Sequence, residues 1–327
     1  MNKKLIEIEN LKTYFYTEAG TAKAVDGISF DIFHGEVLGI VGESGSGKSV
    51  TSLSINRLIP NPPGDIVDGK VMFKGINLLD LSYDEMKDYR GKEIAMIFQE
   101  PMTSFSPVYT IGNQISEAIR LHQTTDKQEA RQKTLEVLAM VGMPKPTEII
   151  NSYPFSISGG MRQRAMIAMA LSCQPNLLIA DEPTTAVDVT IQAQVLELIA
   201  SLQEESHMAL ILITHDLGII AEMAERVMVM YLGKNIESAP VEDLYYQPKH
   251  PYTQGLLASI PKFGTASDET LTPIEGSVPS LYEIPPGCSF HPRCPHFMPG
   301  KCDEGEPPET VLGSDHKVKC FLYGNSG

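Results

Sequence analysis

The sequence predicts an α/β fold, and three apolar runs are the main reason. VLGIV (37–41) is wholly apolar, and NLLIADEP (176–183) and ALILITHD (209–216) carry apolar runs of strand length that end in polar residues. That is the habit of strands buried on both faces in a parallel sheet. Around them, LIEIENL, AVDGISFDI and GKVMFKG in residues 5–35 and 66–80 alternate with period two and predict an antiparallel β layer. Residues 111–142 hold two amphipathic stretches, IGNQISEAIRLH and DKQEARQKTLEVLAMVGM, which predict helices. NPPGD (61–65) and MPKPTE (143–148) read as loops.

Bulk properties narrow the class. A chain of 327 residues with 42% hydrophobic residues can supply a core for one large domain or two modest ones. The formal charge of −15 argues against a nucleic-acid binder, which needs clustered Lys and Arg. No run of 18 apolar residues predicts a membrane span, and MNKKLIEIENL is too charged for a signal peptide. Five cysteines in a long chain without such a signal point to a reducing, cytosolic setting, where grouped cysteines bind metal more often than they form disulfides.

The first apolar run feeds GESGSGKS (42–49), and SVTSLSINRL then reads as a helix. Strand, glycine-rich loop, helix is the context that the GxxxxGK[ST] pattern requires. Gly42, Gly45 and Gly47 let backbone N–H groups converge on phosphates, Lys48 adds a point charge, and Ser49 is a ligand for Mg²⁺. A nucleotide site follows. The second run ends in Asp181, placed to help hold Mg²⁺, and Glu182, placed to polarise an attacking water. The third ends in His215, which beside those motifs becomes a sensor of the terminal phosphate. SISGGMRQRAMIAMAL (156–171) starts a second helix with Ser158, Gly159 and Gly160, another set of N–H groups suited to an anion. One nucleotide can use both helix starts if two such chains face each other head to tail.

ISGGM resembles the signature loop of the ABC ATPases, and GESGSGKS, the FQEP segment with Gln99, LLIADE, the AVD stretch at 186–188 and His215 complete that family's motifs in order. The resemblance implies a RecA-like core with an antiparallel β layer and a helical subdomain at about 100–172, all within residues 1–240. It also implies that Gln99 meets Mg²⁺ and the attacking water, and that Asp188 lies in a loop crossing a dimer interface. Ser44, Ser46 and Val50 join the nucleotide contacts, and an aromatic near residue 15 stacks on adenine, with Phe15 preferred to Tyr16. Ile157 and Val187 stand where leucine is usual, and Met161 where glutamine is common. Members that act on DNA carry a long coiled coil, and translation factors carry two ATPase halves. Neither feature is present.

PMTSFSPVYTIGNQI (101–115), QPKHPYTQGLLASIP (247–261) and GCSFHPRCP (287–295) are similar to the peptide and nickel permease ATPases, the last two to their carboxy-terminal extension. This implies a D-type ATPase subunit of a peptide importer, at the cytoplasmic face of the membrane. Its expected partners are a second ATPase, two membrane permease subunits and an external substrate-binding protein. Residues 241–327 form the extension, and four of the five cysteines, Cys288, Cys294, Cys302 and Cys320, lie there. Their spacing matches neither a zinc ribbon nor a bacterial ferredoxin, so spacing leaves the metal open. The Cys294-Pro295 step is compatible with a [4Fe–4S] cluster, while His291, His296 and His316 keep a mixed zinc site in play. The resemblance implies the cluster. Residues 273–308, rich in Pro and Gly, are expected to have little regular structure, and Cys173 to be a packing residue at a helix end.

Overall fold

The computed structural model describes residues 3–99, 104–184, 189–260, 274–313 and 315–324. The chain divides into two compact units, one formed by Met1–Leu5, Phe33–Glu36 and Asp80–Ile213, the other by Ile6–Ile32, Val37–Leu79 and Thr214–Gly327.

In the first unit, strands β6 (Ile94–Ile97), β7 (Leu177–Asp181) and β8 (Ala209–Ile213) pair in parallel, with β7 central. Every residue of β7 and β8 is buried, which is why both read as continuous apolar runs rather than alternating ones. The two helices expected before residue 142 are present as Ile111–His122 and Lys127–Met140. Ile111, Ile115 and Ile119 are buried at a spacing of four, so a single stripe faces the core. Asp126 caps the second helix by accepting from the N–H groups of Gln128 and Glu129, a contribution of about 1 kcal/mol. Where a loop was expected at 143–148, a short helix runs from Pro146 to Ile149. Proline at its first position fits, because that N–H has no helical partner to lose. The helix Gly159–Leu171 follows, with Cys173 buried just beyond its end.

The second unit holds the expected antiparallel layer, in the order β2 (Gly20–Phe33), β1 (Lys4–Thr17), β4 (Gly64–Phe73) and β5 (Ile76–Asn77). It also holds β3 (Val37–Val41), parallel to β9 (Arg226–Tyr231). Gly39 lies where a Cβ would come within 2.8 Å of Ile220, so the helix Leu217–Met223 packs closely against β3. Next to β9 comes β10 (Lys234–Pro240), antiparallel to it.

The extension is more ordered than its composition suggests. Helices Val241–Tyr246 and Pro251–Ala258 follow β10. Residues 274–308 do lack strands, with one 3₁₀ turn at His291–Arg293. The chain then forms an antiparallel hairpin, β11 (Glu309–Leu312) and β12 (His316–Lys319), and β12 pairs with β10 through Glu237–Val318 and Ser238–Lys317. The end of the chain therefore extends a sheet of the ATPase core, a long-range pairing that short, half-exposed strands do not announce.

Candidate functional site

The phosphate loop follows from β3. Lys48 opens the helix Lys48–Ile55, and Gly47 before it adopts φ 101°, with a Cβ position 2.3 Å from the carbonyl oxygen of Ala24. Only glycine fits there. The Lys48 ammonium is buried and donates to the carbonyls of Gly42 at 2.7 Å and Glu43 at 3.1 Å. The Ser46 carbonyl accepts from Gly233 N–H at 2.9 Å, which ties the loop to the turn after β9. Ser44 and Gly45 at the loop's crest are exposed, while Ser49 and Val50 are half-buried in the first helical turn. His215 is exposed beyond β8, and the next residue, Asp216, caps the helix Leu217–Met223. Phe15 is half-buried and packs toward Gly64, whereas Tyr16 is 52% exposed.

In the first unit, β7 ends with Asp181 buried, and Glu182 follows in the left-handed region at φ 47°. A non-glycine residue held there costs on the order of 1 kcal/mol, and such strain gathers at functional sites. Gln99, after β6, donates from Nε2 to the Glu182 carboxylate at 2.9 Å. Neighbouring parallel strands thus bring together two residues 83 apart in sequence. Ser49 in the second unit, and Gln99 and Asp181 in the first, each offer an oxygen of the hard kind that suits Mg²⁺. Ser158 caps the signature helix, its Oγ accepting from Met161 N–H at 3.3 Å. Gly160 packs toward Ile191, while the space a Gly159 side chain would take is open. Asp188 lies outside the described residues.

The four extension cysteines share one neighbourhood. Cys288 N–H donates to the Cys302 carbonyl at 2.8 Å. Burial pushes the Cys320 thiol up to about 11, with smaller contributions from Cys288, Cys294 and Cys302. Burial likewise raises Cys288 and Cys294. Four soft sulfur donors suit an iron–sulfur cluster in kind. The expectation of a metal-bound extension nonetheless goes beyond the structure: among the described residues, no three His, Cys, Asp or Glu side chains are arranged to hold a metal ion. Thiols with raised pKa stay neutral, and neutral thiols pack as small apolar groups.

Sequence reasoning missed how the extension grips the phosphate loop. Glu43 N–H donates to the Tyr252 hydroxyl at 2.8 Å, and the Arg293 guanidinium grips the Glu43 carboxylate at 2.7 and 3.1 Å. Arg293 lies inside GCSFHPRCP and Tyr252 inside HPYTQG, but a pairing across 250 residues leaves no local signal.

Residues 25–185 match the family model described as ABC transporter, and residues 236–302 match "Oligopeptide/dipeptide transporter, C-terminal region". The chain is 50% identical over 98% of its length to the dipeptide transport ATP-binding protein DppD of Bacillus subtilis (strain 168), covering 95% of that relative. It is 51% identical over 99% of its length to the oligopeptide transport ATP-binding protein AppD of the same organism, covering 98% of it. Among solved structures, the dimeric bacterial ABC transporter cassette MJ0796 superposes with a TM-score of 0.64 at 27% identity, over 72% of this chain and 98% of that one. The chain therefore belongs to the ABC transporter ATPases, in the branch that carries the oligopeptide/dipeptide transporter C-terminal region.

Proposed function

We propose that this ATPase powers a membrane importer for dipeptides or oligopeptides, working at the cytoplasmic face as one half of a head-to-tail ATPase pair. The observation that carries the reading is the peptide-transporter C-terminal match joined to a full-length ATPase likeness, in a chain where Gln99 already holds Glu182. Among the described residues no helix is long and apolar enough to cross a membrane. Two permease subunits and an external binding protein complete the importer and select the cargo.

Each ATP lies between one chain's GESGSGKS and the other chain's Ser158, Gly159 and Gly160. Gly159 supports this, because its Cβ position faces open space among the described residues and its φ is not positive. Lys48 and the loop N–H groups hold the phosphates, and Phe15 or its exposed neighbour Tyr16 stacks on adenine. Ser49, Gln99 and Asp181 would hold Mg²⁺, which offsets charge between the terminal phosphates when bound. Glu182 takes a proton from the attacking water, His215 orients that water and the terminal phosphate, and Asp188 completes the interface. Residues 1–240 form the ATPase domain and 241–327 the extension. Cys288, Cys294, Cys302 and Cys320 would hold a [4Fe–4S] cluster, which would cross-link the strandless segment 274–308 to β12. What supports the assignment is the donor chemistry, four soft sulfurs within one extension.

The test is reconstitution. Isolated chain should hydrolyse ATP poorly at low concentration, and adding the partner ATPase with permease subunits should restore turnover and drive uptake of labelled peptide into vesicles. Full activity from a strict monomer would overturn the paired site, and ATP-dependent uptake of nickel but not peptide would overturn the cargo.

A further inference from the structure

The extension reaches the phosphate loop at one residue, Glu43, and holds it twice. Its backbone N–H donates to Tyr252, and its carboxylate takes a two-pronged ion pair from Arg293. The Arg293 side chain is only 4% exposed, against 28% for Glu43. Three further contacts fix the guanidinium: Nε donates to the Glu275 carbonyl at 3.1 Å, Nη2 to the Ile274 carbonyl at 3.5 Å, and Nη1 to the Tyr231 hydroxyl at 3.4 Å. Its planar group also lies against the rings of Tyr231 and Phe290. A planar, fully used guanidinium sets the position of its partner carboxylate in a way that a flexible lysine does not.

Glu43 is the second residue of GESGSGKS, and its own carbonyl accepts from Lys48. A carboxylate in a loop built for anions is out of place on electrostatic grounds. Unneutralised, it would repel a polyphosphate and compete for Lys48. We propose that Arg293 is a positioning residue for ATP: the extension neutralises Glu43 and draws its carboxylate away from the phosphate cradle, so that nucleotide affinity depends on a correctly docked extension. The inference rests on the ATP site described above and adds to it a control point from the carboxy-terminal region. Arg293 precedes Cys294 directly, so whatever orders the cysteine segment also aims the guanidinium.

The test uses the full chain and equilibrium binding of a fluorescent ATP analogue. Arg293→Gln should weaken binding by about tenfold, the equivalent of one bared charge near the phosphates. Glu43→Gln alone should bind within about threefold of the parent, since it removes the charge and its partner's purpose together. In the double variant, Glu43→Gln should suppress most of the Arg293→Gln defect. Arg293→Lys, which keeps the cation and loses the fork, should fall between. Raising salt should shrink the Arg293→Gln defect, because screening acts on charge and not on packing. Lys48→Ala, measured alongside, reports the ATP site independently and should lose binding in every background. Unchanged affinity in Arg293→Gln overturns the proposal. So does a defect that Glu43→Gln fails to relieve, which would make Arg293 a packing residue only.

Discussion

Gln99 donates to the Glu182 carboxylate across 2.9 Å, from the end of one parallel strand to the end of its neighbour. The bond fixes the orientation of a carboxylate that also sits on left-handed backbone at φ 47°. A general base must hold its carboxylate in a set orientation toward the proton it takes, and an amide donor is suited to holding it.

Glu182→Gln should therefore leave ATP affinity within about threefold of the parent while slowing phosphate release by on the order of 10²-fold or more. The check pairs nucleotide binding with phosphate release in the assembled pair. Near-normal release would remove Glu182 from the role of base.

Two glycines make opposite predictions. Gly47→Ala forces a Cβ to 2.3 Å from the Ala24 carbonyl oxygen, on backbone with φ 101°. It should destabilise the chain by about 2 kcal/mol or more and abolish nucleotide binding. Gly159→Ala meets nothing within 4 Å among the described residues. Alanine's better helix propensity should leave stability equal or raised by up to about 1 kcal/mol, while activity of the ATPase pair falls. Thermal melts and turnover separate the two, and a Gly159→Ala pair with full activity would argue against a composite site.

Much of this was legible in sequence because the signals are local. VLGIV, LLIAD and ALILI are buried throughout as their apolar runs require, and Ser158 caps its helix as an N-cap serine should. The helix Pro146–Ile149 was missed because its prolines, Pro144 just before it and Pro146 at its first position, punctuate a loop as readily as they open a helix. The β11–β12 hairpin was missed because HKVK has a charged residue or histidine at three of its four positions, and its value lies in pairing with β10, some 80 residues earlier. Arg293 with Glu43 is the same case carried into the site: neither residue has a local reason to be where it is.

Among the cysteines, Cys173 stands apart. It is buried near the helix Gly159–Leu171, its thiol is raised by burial, and it donates weakly to the Ala118 carbonyl at 3.7 Å. Protein purified without oxygen should carry roughly four irons per chain with broad absorbance near ~400 nm. Cys288→Ser, Cys294→Ser, Cys302→Ser and Cys320→Ser should each lose that absorbance, and Cys173→Ser should keep it. One zinc and no iron would decide for a zinc site instead.

The last prediction concerns acid stability of the extension, and it starts from His250. This side chain is 1% exposed, beside Phe290 at 5.7 Å, and its Nδ1 accepts from Tyr252 N–H at 3.1 Å. The ring proton therefore sits on Nε2, which is buried and has no hydrogen-bond partner among the described residues. Burial pushes the imidazole down to about 4, against a smaller opposing pull from Glu237. Since the folded value lies below the ordinary 6.5, the unfolded chain binds more protons between the two. The contribution of neutral His250 is complete above pH 6.5 and is lost as pH falls from there through 4, up to about 3 kcal/mol. Glu237 adds a second acid step. Burial raises its carboxyl, but bonds from His316 and from the Lys249 and His250 N–H groups outweigh that and hold it below its usual value. Its contribution is present above the ordinary carboxylate range and fades as pH drops below it. His250→Asn keeps a side-chain cap for the helix Pro251–Ala258 and removes the titration. Denaturant unfolding of the full chain at pH 7.5, 6 and 5 should show the parent losing stability steadily and His250→Asn losing much less, whatever its absolute stability. Equal slopes in the two proteins would mean that His250 titrates in the folded chain as it does in the unfolded one.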